Sequence, residues 1–136
     1  MKRWICLFLI ELVMFISCSP QSKDNEAMLF SWYTEQINLS IGNDIQHVII
    51  VPNESCNGCR SIVSKYSFAK KNNEIIIVSN KIAPQFKDCP VKIDSMAICD
   101  KLNWEYANII EVFINHGVCD SVKDYDAEET VKRFHA

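Results

Sequence analysis

The chain has 136 residues, of which 49% are hydrophobic and 23% charged, and a net charge of −3. That length leaves room for no more than one domain, and the apolar fraction is enough for an ordinary core. A mildly acidic chain without a Lys/Arg cluster excludes nucleic acid as a natural partner.

The N-terminus does not read as part of that domain. Lys2 and Arg3 precede the 14-residue apolar run "WICLFLIELVMFIS", which Glu11 interrupts. Two positive charges ahead of a short apolar stretch fit a secretory signal peptide. A bilayer span needs roughly 20 apolar residues, so the run is short for a transmembrane anchor. Phe15-Ile16-Ser17-Cys18 resembles the lipobox of bacterial lipoproteins, with a small residue ahead of the cysteine. The resemblance implies cleavage after residue 17 and acylation of Cys18, for example by palmitate. The polar stretch "SPQSKDNE" behind it suits a tether leaving a membrane surface. The expected organisation is a signal peptide over 1–17, a lipidated cysteine and tether over 18–25, and a domain over 26–136. Such a domain would lie in the cell envelope, facing the periplasm or the exterior, where thiol chemistry is oxidative.

Residues 25–40 predict a helix with Leu29, Trp32, Tyr33, Gln36 and Ile37 on one face, closed by Ile41-Gly42-Asn43-Asp44. "HVIIVP", His47 to Pro52, is a continuous apolar run of the kind that forms a strand buried on both faces. From about Asn57 to Asn72 the pattern turns helical, with Cys59, Ile62, Val63, Tyr66 and Ala69 on one side. "EIIIVSN", Glu74 to Asn80, is a second buried strand, and two such strands joined by a helix call for a parallel βαβ unit. Pro84 and Pro90 oppose regular structure beyond it, and Asp94 to Trp104 reads as a short helix. Ile109–Ile114 and Val118–Val122 read as a hairpin around Asn115-His116-Gly117, with glycine at a position of positive φ. Asp126-Ala127-Glu128-Glu129 has the form of a capping box opening a last helix.

This order, with "CNGC" between the first strand and its helix, resembles the thioredoxin-like superfamily over roughly residues 45–136. The resemblance implies an α/β fold with a mixed sheet of about four strands, βαβ then ββα, flanked by helices, plus an extra N-terminal helix. It implies a thiol–disulfide oxidoreductase without a cofactor, whose partners are protein thiols or disulfides. Cys56 would be the attacking cysteine and Cys59 the resolving one. The family also carries a cis-proline ahead of the hairpin. That place falls near Ala107 or Asn108, and the chain has no proline after Pro90. A non-catalytic thioredoxin-like lipoprotein, acting as a binding or accessory module, is the alternative this departure favours.

The residues themselves support redox chemistry independently. Free N–H groups and the macrodipole at a helix start favour a thiolate, so the pKa of Cys56 falls and its reactive fraction rises. Arg60 adds positive charge nearby, whereas Glu54 would oppose it. A disulfide closing so short a loop restricts the unfolded chain only modestly, which weakens a purely structural role. Zinc needs a second close pair, and this chain has neither another CxxC nor an HxxxH; His47, His116 and His135 read as strand-end or surface residues. With Cys6 in the leader and Cys18 as anchor, five cysteines remain, so one is unpaired or pairs with another molecule. Cys89 and Cys99 are candidates for a structural disulfide stapling the Pro-containing segment, and Cys119 for a buried free thiol. Trp32, Tyr33 and Trp104 read as core rather than as a cofactor box.

Overall fold

A computed structural model describes residues 21–66, 73–104, 106 and 108–135. The expected signal peptide, Cys18, the end of the helix expected after the dithiol, and Ala107 lie outside the described residues. No helix among the described residues is long and apolar enough to cross a membrane.

The elements run α1 (Gln21–Gln36), β1 (His47–Val51), α2 (Asn57–Tyr66), β2 (Glu74–Ser79), a 3-10 turn (Ala83–Phe86), β3 (Lys92–Asp94), a second 3-10 turn (Ile98–Asp100), β4 (Ile110–Asn115), β5 (Val118–Asp124) and α3 (Ala127–His135). Helix α1 starts at Gln21, inside the stretch expected as tether. The strands form one mixed sheet in the order β3-β2-β1-β4-β5. β1 lies parallel to β2, and β2 to β3; β1 is antiparallel to β4, and β4 to β5. The expected βαβ unit and the C-terminal hairpin are therefore present, with five strands rather than about four.

Alternation along β1 divides the core. Val48 and Ile50 join Ile77, Ile110, Val112 and Ile114 on one face, under Phe30 and Tyr33 of α1 and Ile37 just past its end. Ile49 and Val51 join Ile76, Val78 and Ile109 on the other, with Val63 of α2 and Phe86. The sheet is thus buried on both faces, which is why β1 and β2 read as unbroken β-branched runs.

Several elements differ from expectation for identifiable reasons. α1 buries Phe30, Tyr33 and Thr34, with Ile37 buried just past its end, and Trp32 is 47% exposed, so its inner face is turned from the one expected. The helix also ends earlier, in a Schellman motif: Asn38 takes φ +52°, Leu39 N–H donates to Thr34 O and Asn38 N–H to Glu35 O. The helix expected over Asp94–Trp104 is replaced by the end of β3 and a 3-10 turn. The fully buried Asp94 carboxylate redirects the chain there, accepting from the Cys99 N–H at 2.7 Å and the Tyr33 hydroxyl at 3.1 Å. In the hairpin, His116 (φ +50°) and Gly117 (φ +77°) are the two central residues, and consecutive positive φ values define the type I′ turn.

The Cys89–Cys99 staple is corrected: both thiols are free. Cys99 is buried in the cluster beneath α1, and Cys89 packs against the cluster on the opposite face of the sheet. The sheet lies between them. Cys119 is a free thiol as expected, half-buried rather than buried.

Candidate functional site

The loop after β1 is held in place before it reaches the first cysteine. Pro52 follows the last strand residue, and its carbonyl accepts from both the N–H and the hydroxyl of buried Ser55, at 3.2 and 2.5 Å. Asn53 N–H donates to Asp100 Oδ1 at 2.6 Å, while Asp100 Oδ2 accepts from the Ser79 hydroxyl at 2.7 Å. One carboxylate thereby ties the loop to the end of β2. Lys81 Nζ lies 3.8 Å from the same oxygen.

Cys56 occupies the N-cap position of α2, whose first residue is Asn57. It forms a disulfide with Cys59, with Cα atoms 5.3 Å apart. The Cys59 N–H, at the third helical position, donates to Cys56 Sγ at 3.0 Å. The sulfur therefore fills the place usually taken by a Ser or Asp oxygen. Cys56 is exposed and Cys59 half-buried, so an incoming sulfur reaches Cys56 first. Arg60 donates to Asn57 Oδ1 within the same turn, and Glu54 accepts from Asn53 Nδ2 at 3.3 Å.

Asn108, from the segment ahead of β4, faces the pair. Its Oδ1 accepts from the Cys56 N–H at 3.1 Å, and its Nδ2 lies 3.6 Å from Cys59 Sγ. A cavity of about 190 Å³ opens beside it, lined by Pro52, Ser55, Leu102, Trp104 and Tyr106 among others. Tyr106 Oη lies 2.5 Å from Glu26 Oε1 and 3.0 Å from the Val122 carbonyl, so the wall is anchored to α1 and β5.

The remaining thiols are biased against reactivity. Burial, reinforced by Asp94, pushes the Cys99 thiol far up. Burial, with Glu26 and Asp120, pushes Cys119 up to about 11, and burial with Asp88 also raises Cys89. Each is protonated at neutral pH and so a poor nucleophile. Among the described residues no group of three His, Cys, Asp or Glu side chains converges as metal ligands would.

His47 departs from its reading as a plain strand-end residue. Its Nδ1 lies 2.7 Å from Glu74 Oε2, and its Nε2 lies 3.1 Å from Glu111 Oε1. Burial disfavours its charge, but the two carboxylates outweigh that and raise its pKa to about 9. His47 opens β1, whereas Cys56 follows the other end of that strand, so the charged cluster and the disulfide occupy opposite ends of the sheet.

The structure thus brings Cys56 and Cys59 together and separates Cys89 from Cys99. Sequence reasoning missed Asn108 and Asp100. Counting back from the hairpin reaches Asn108, at the place where the resemblance calls for a proline. No family model matches this chain, and neither does a curated protein or a solved structure.

Proposed function

We propose that this protein is a thioredoxin-like thiol–disulfide exchange protein, held to a membrane by a lipid on Cys18 and facing the periplasm or exterior. The observation that carries the exchange reading is the Cys56–Cys59 disulfide at the exposed start of α2, with Cys56 Sγ accepting the Cys59 N–H. That donor and the helix N-terminus favour negative charge on Cys56 once the disulfide opens. The thioredoxin-like assignment is supported by the parallel β1–α2–β2 unit, the antiparallel β4–β5 hairpin and α3 after it. The anchor rests on the leader and on Phe15–Cys18.

In the proposed cycle Cys56 attacks a partner disulfide, forms a mixed disulfide, and is released when Cys59 attacks Cys56 Sγ. The decisive experiment is trapping. A Cys59→Ser variant should accumulate mixed disulfides with partner proteins through Cys56, and Cys56→Ser should not. If neither variant forms such adducts, the domain is the accessory module instead. For the anchor, Cys18→Ala should no longer fractionate with membranes; persistence there would remove the lipidation reading.

A further inference from the structure

Resting on the exchange reading above, we propose that Asn108 is a catalytic residue of the Cys56–Cys59 couple, its carboxamide donating to the Cys59 sulfur as that sulfur becomes a thiolate. The orientation of the carboxamide follows from the hydrogen bonds. Only an acceptor can face the Cys56 N–H, so Oδ1 points there, at 3.1 Å. The other end of the amide, the NH₂ group, is then the end at Cys59 Sγ, at 3.6 Å. Each sulfur of the pair consequently has its own donor: the Cys59 N–H serves Cys56, and Asn108 serves Cys59. The neighbouring polar side chains are engaged elsewhere, Arg60 with Asn57, Glu54 with Asn53, and Asp100 with Asn53 and Ser79.

The chemistry gives this second donor a function. When a thiolate of a partner dithiol attacks Cys56 Sγ, a partner–Cys56 disulfide forms and the Cys56–Cys59 bond breaks. The bonding electron pair leaves on Cys59 as a thiolate. The partner's second thiolate then attacks the partner sulfur of the mixed disulfide and releases Cys56. Two electrons pass from the partner, which becomes a disulfide, and the two protein thiolates equilibrate with solvent protons. The leaving sulfur departs faster as its thiolate is stabilised, and the Asn108 NH₂ group is a donor placed against it. In the reverse direction the same contact holds Cys59 as it attacks Cys56 Sγ and expels the partner. The carboxamide also positions Cys56 itself through the backbone N–H, so one side chain fixes the attacked sulfur and receives the departing one.

Asn108→Asp is the informative substitution. It keeps an oxygen for the Cys56 N–H and puts a carboxylate, instead of an NH₂ donor, against Cys59. With the full chain and dithiothreitol as reductant, read by alkylation and peptide mass mapping, opening of the Cys56–Cys59 disulfide should slow by roughly tenfold, the size expected for losing a charge-assisted hydrogen bond. In a Cys56→Ser background the alkylation pKa of Cys59 should rise, whereas in a Cys59→Ser background that of Cys56 should move less. Should Asn108→Asp not fold, Asn108→Ser, which also withdraws the NH₂ donor, should slow opening in the same direction. Rates within twofold of the parent with an unmoved Cys59 pKa overturn the assignment. The two readings fail separately. Trapped partners without an Asn108 effect leave exchange standing and remove Asn108 from it; an Asn108 effect without trapped partners does the reverse.

Discussion

His47 Nδ1 lies 2.7 Å from Glu74 Oε2, an ion pair joining the first residues of the two central parallel strands. The second ring nitrogen meets Glu111 Oε1 at 3.1 Å, and Glu111 is 1% exposed. A buried carboxylate needs a partner, and Glu111 has His47 on one side and Lys123 at 3.5 Å on the other. His47 also stacks on Phe113, its cross-strand neighbour, with ring centroids 5.0 Å apart. The histidine is therefore a structural cation, and its charge contributes to holding β1, β2 and β4 in register.

That charge gives a pH dependence whose sign can be worked out. His47 has a pKa of about 9 in the folded state, against about 6.5 unfolded. The native state binds the extra proton between these values, so its contribution is complete below about pH 6.5 and declines as pH rises through 9. The urea midpoint should fall across that window by an amount corresponding to about 2 kcal/mol, given the modest side-chain exposure of the pair. In His47→Gln the same window should be nearly flat. Above pH 9 the raised thiols of Cys89, Cys99 and Cys119 add a loss of the same sign, so the comparison belongs below it. A direct check is the His47 ring titration by NMR, where Glu111→Gln should lower the pKa; an unchanged value would deny Glu111 its role.

The Asp94 junction should behave as an asymmetric hydrogen-bond site. Tyr33→Phe removes one bond to a carboxylate that still accepts the Cys99 N–H, and should cost about 1 kcal/mol in urea unfolding. Asp94→Ala leaves the Tyr33 hydroxyl and the Cys99 N–H both without their acceptor, and should cost about 3 kcal/mol. If the two variants were equal, the carboxylate would not be organising the turn.

This junction also shows where the sequence could be read and where it could not. β1 and β2 are legible because burial on both faces demands unbroken apolar runs, and "CNGC" is legible because its place after a strand gives it a helix start. β3 is not, because its three residues include the charged Lys92 and the buried Asp94, and their pairing with Ile77–Ser79 is a long-range fact. The inner face of α1 is not legible either, because the large apolar Trp32 points to an inward assignment, although Phe30 is the residue that goes in. Asn108 can be placed by counting back from the hairpin, but nothing in the neighbouring sequence marks its role. Its contacts reach 52 and 49 residues back along the chain, to Cys56 and Cys59.

Asp100 makes a prediction about the loop that presents the disulfide. Its two oxygens join the Asn53 N–H to the Ser79 hydroxyl. Asp100→Ala should speed hydrogen exchange at the Asn53 amide, with a stability loss of about 1–2 kcal/mol. Asp100→Asn keeps an oxygen for Asn53, and its NH₂ can donate to Ser79, so it should restore most of that protection. Equal protection in Asp100→Ala and the parent would show that Ser55 and its bonds to Pro52 suffice to hold the loop.

The free thiols give a last prediction, which bears on which sulfurs take part in exchange. Cys99 is 3% exposed beneath α1, while Cys89 and Cys119 are half-buried. In the native oxidised protein a maleimide should label Cys89 and Cys119 slowly and leave Cys99 unmodified until the chain unfolds. Raised pKa values make all three poor thiolates at pH 7, so the labelling rates should climb with pH. Peptide mapping without reduction should then recover a Cys56–Cys59 linkage and separate Cys89 and Cys99 peptides. A recovered Cys89–Cys99 linkage would require those sulfurs to meet through the plane of the sheet, so finding it in native protein would overturn this account of the fold as well as of the thiols.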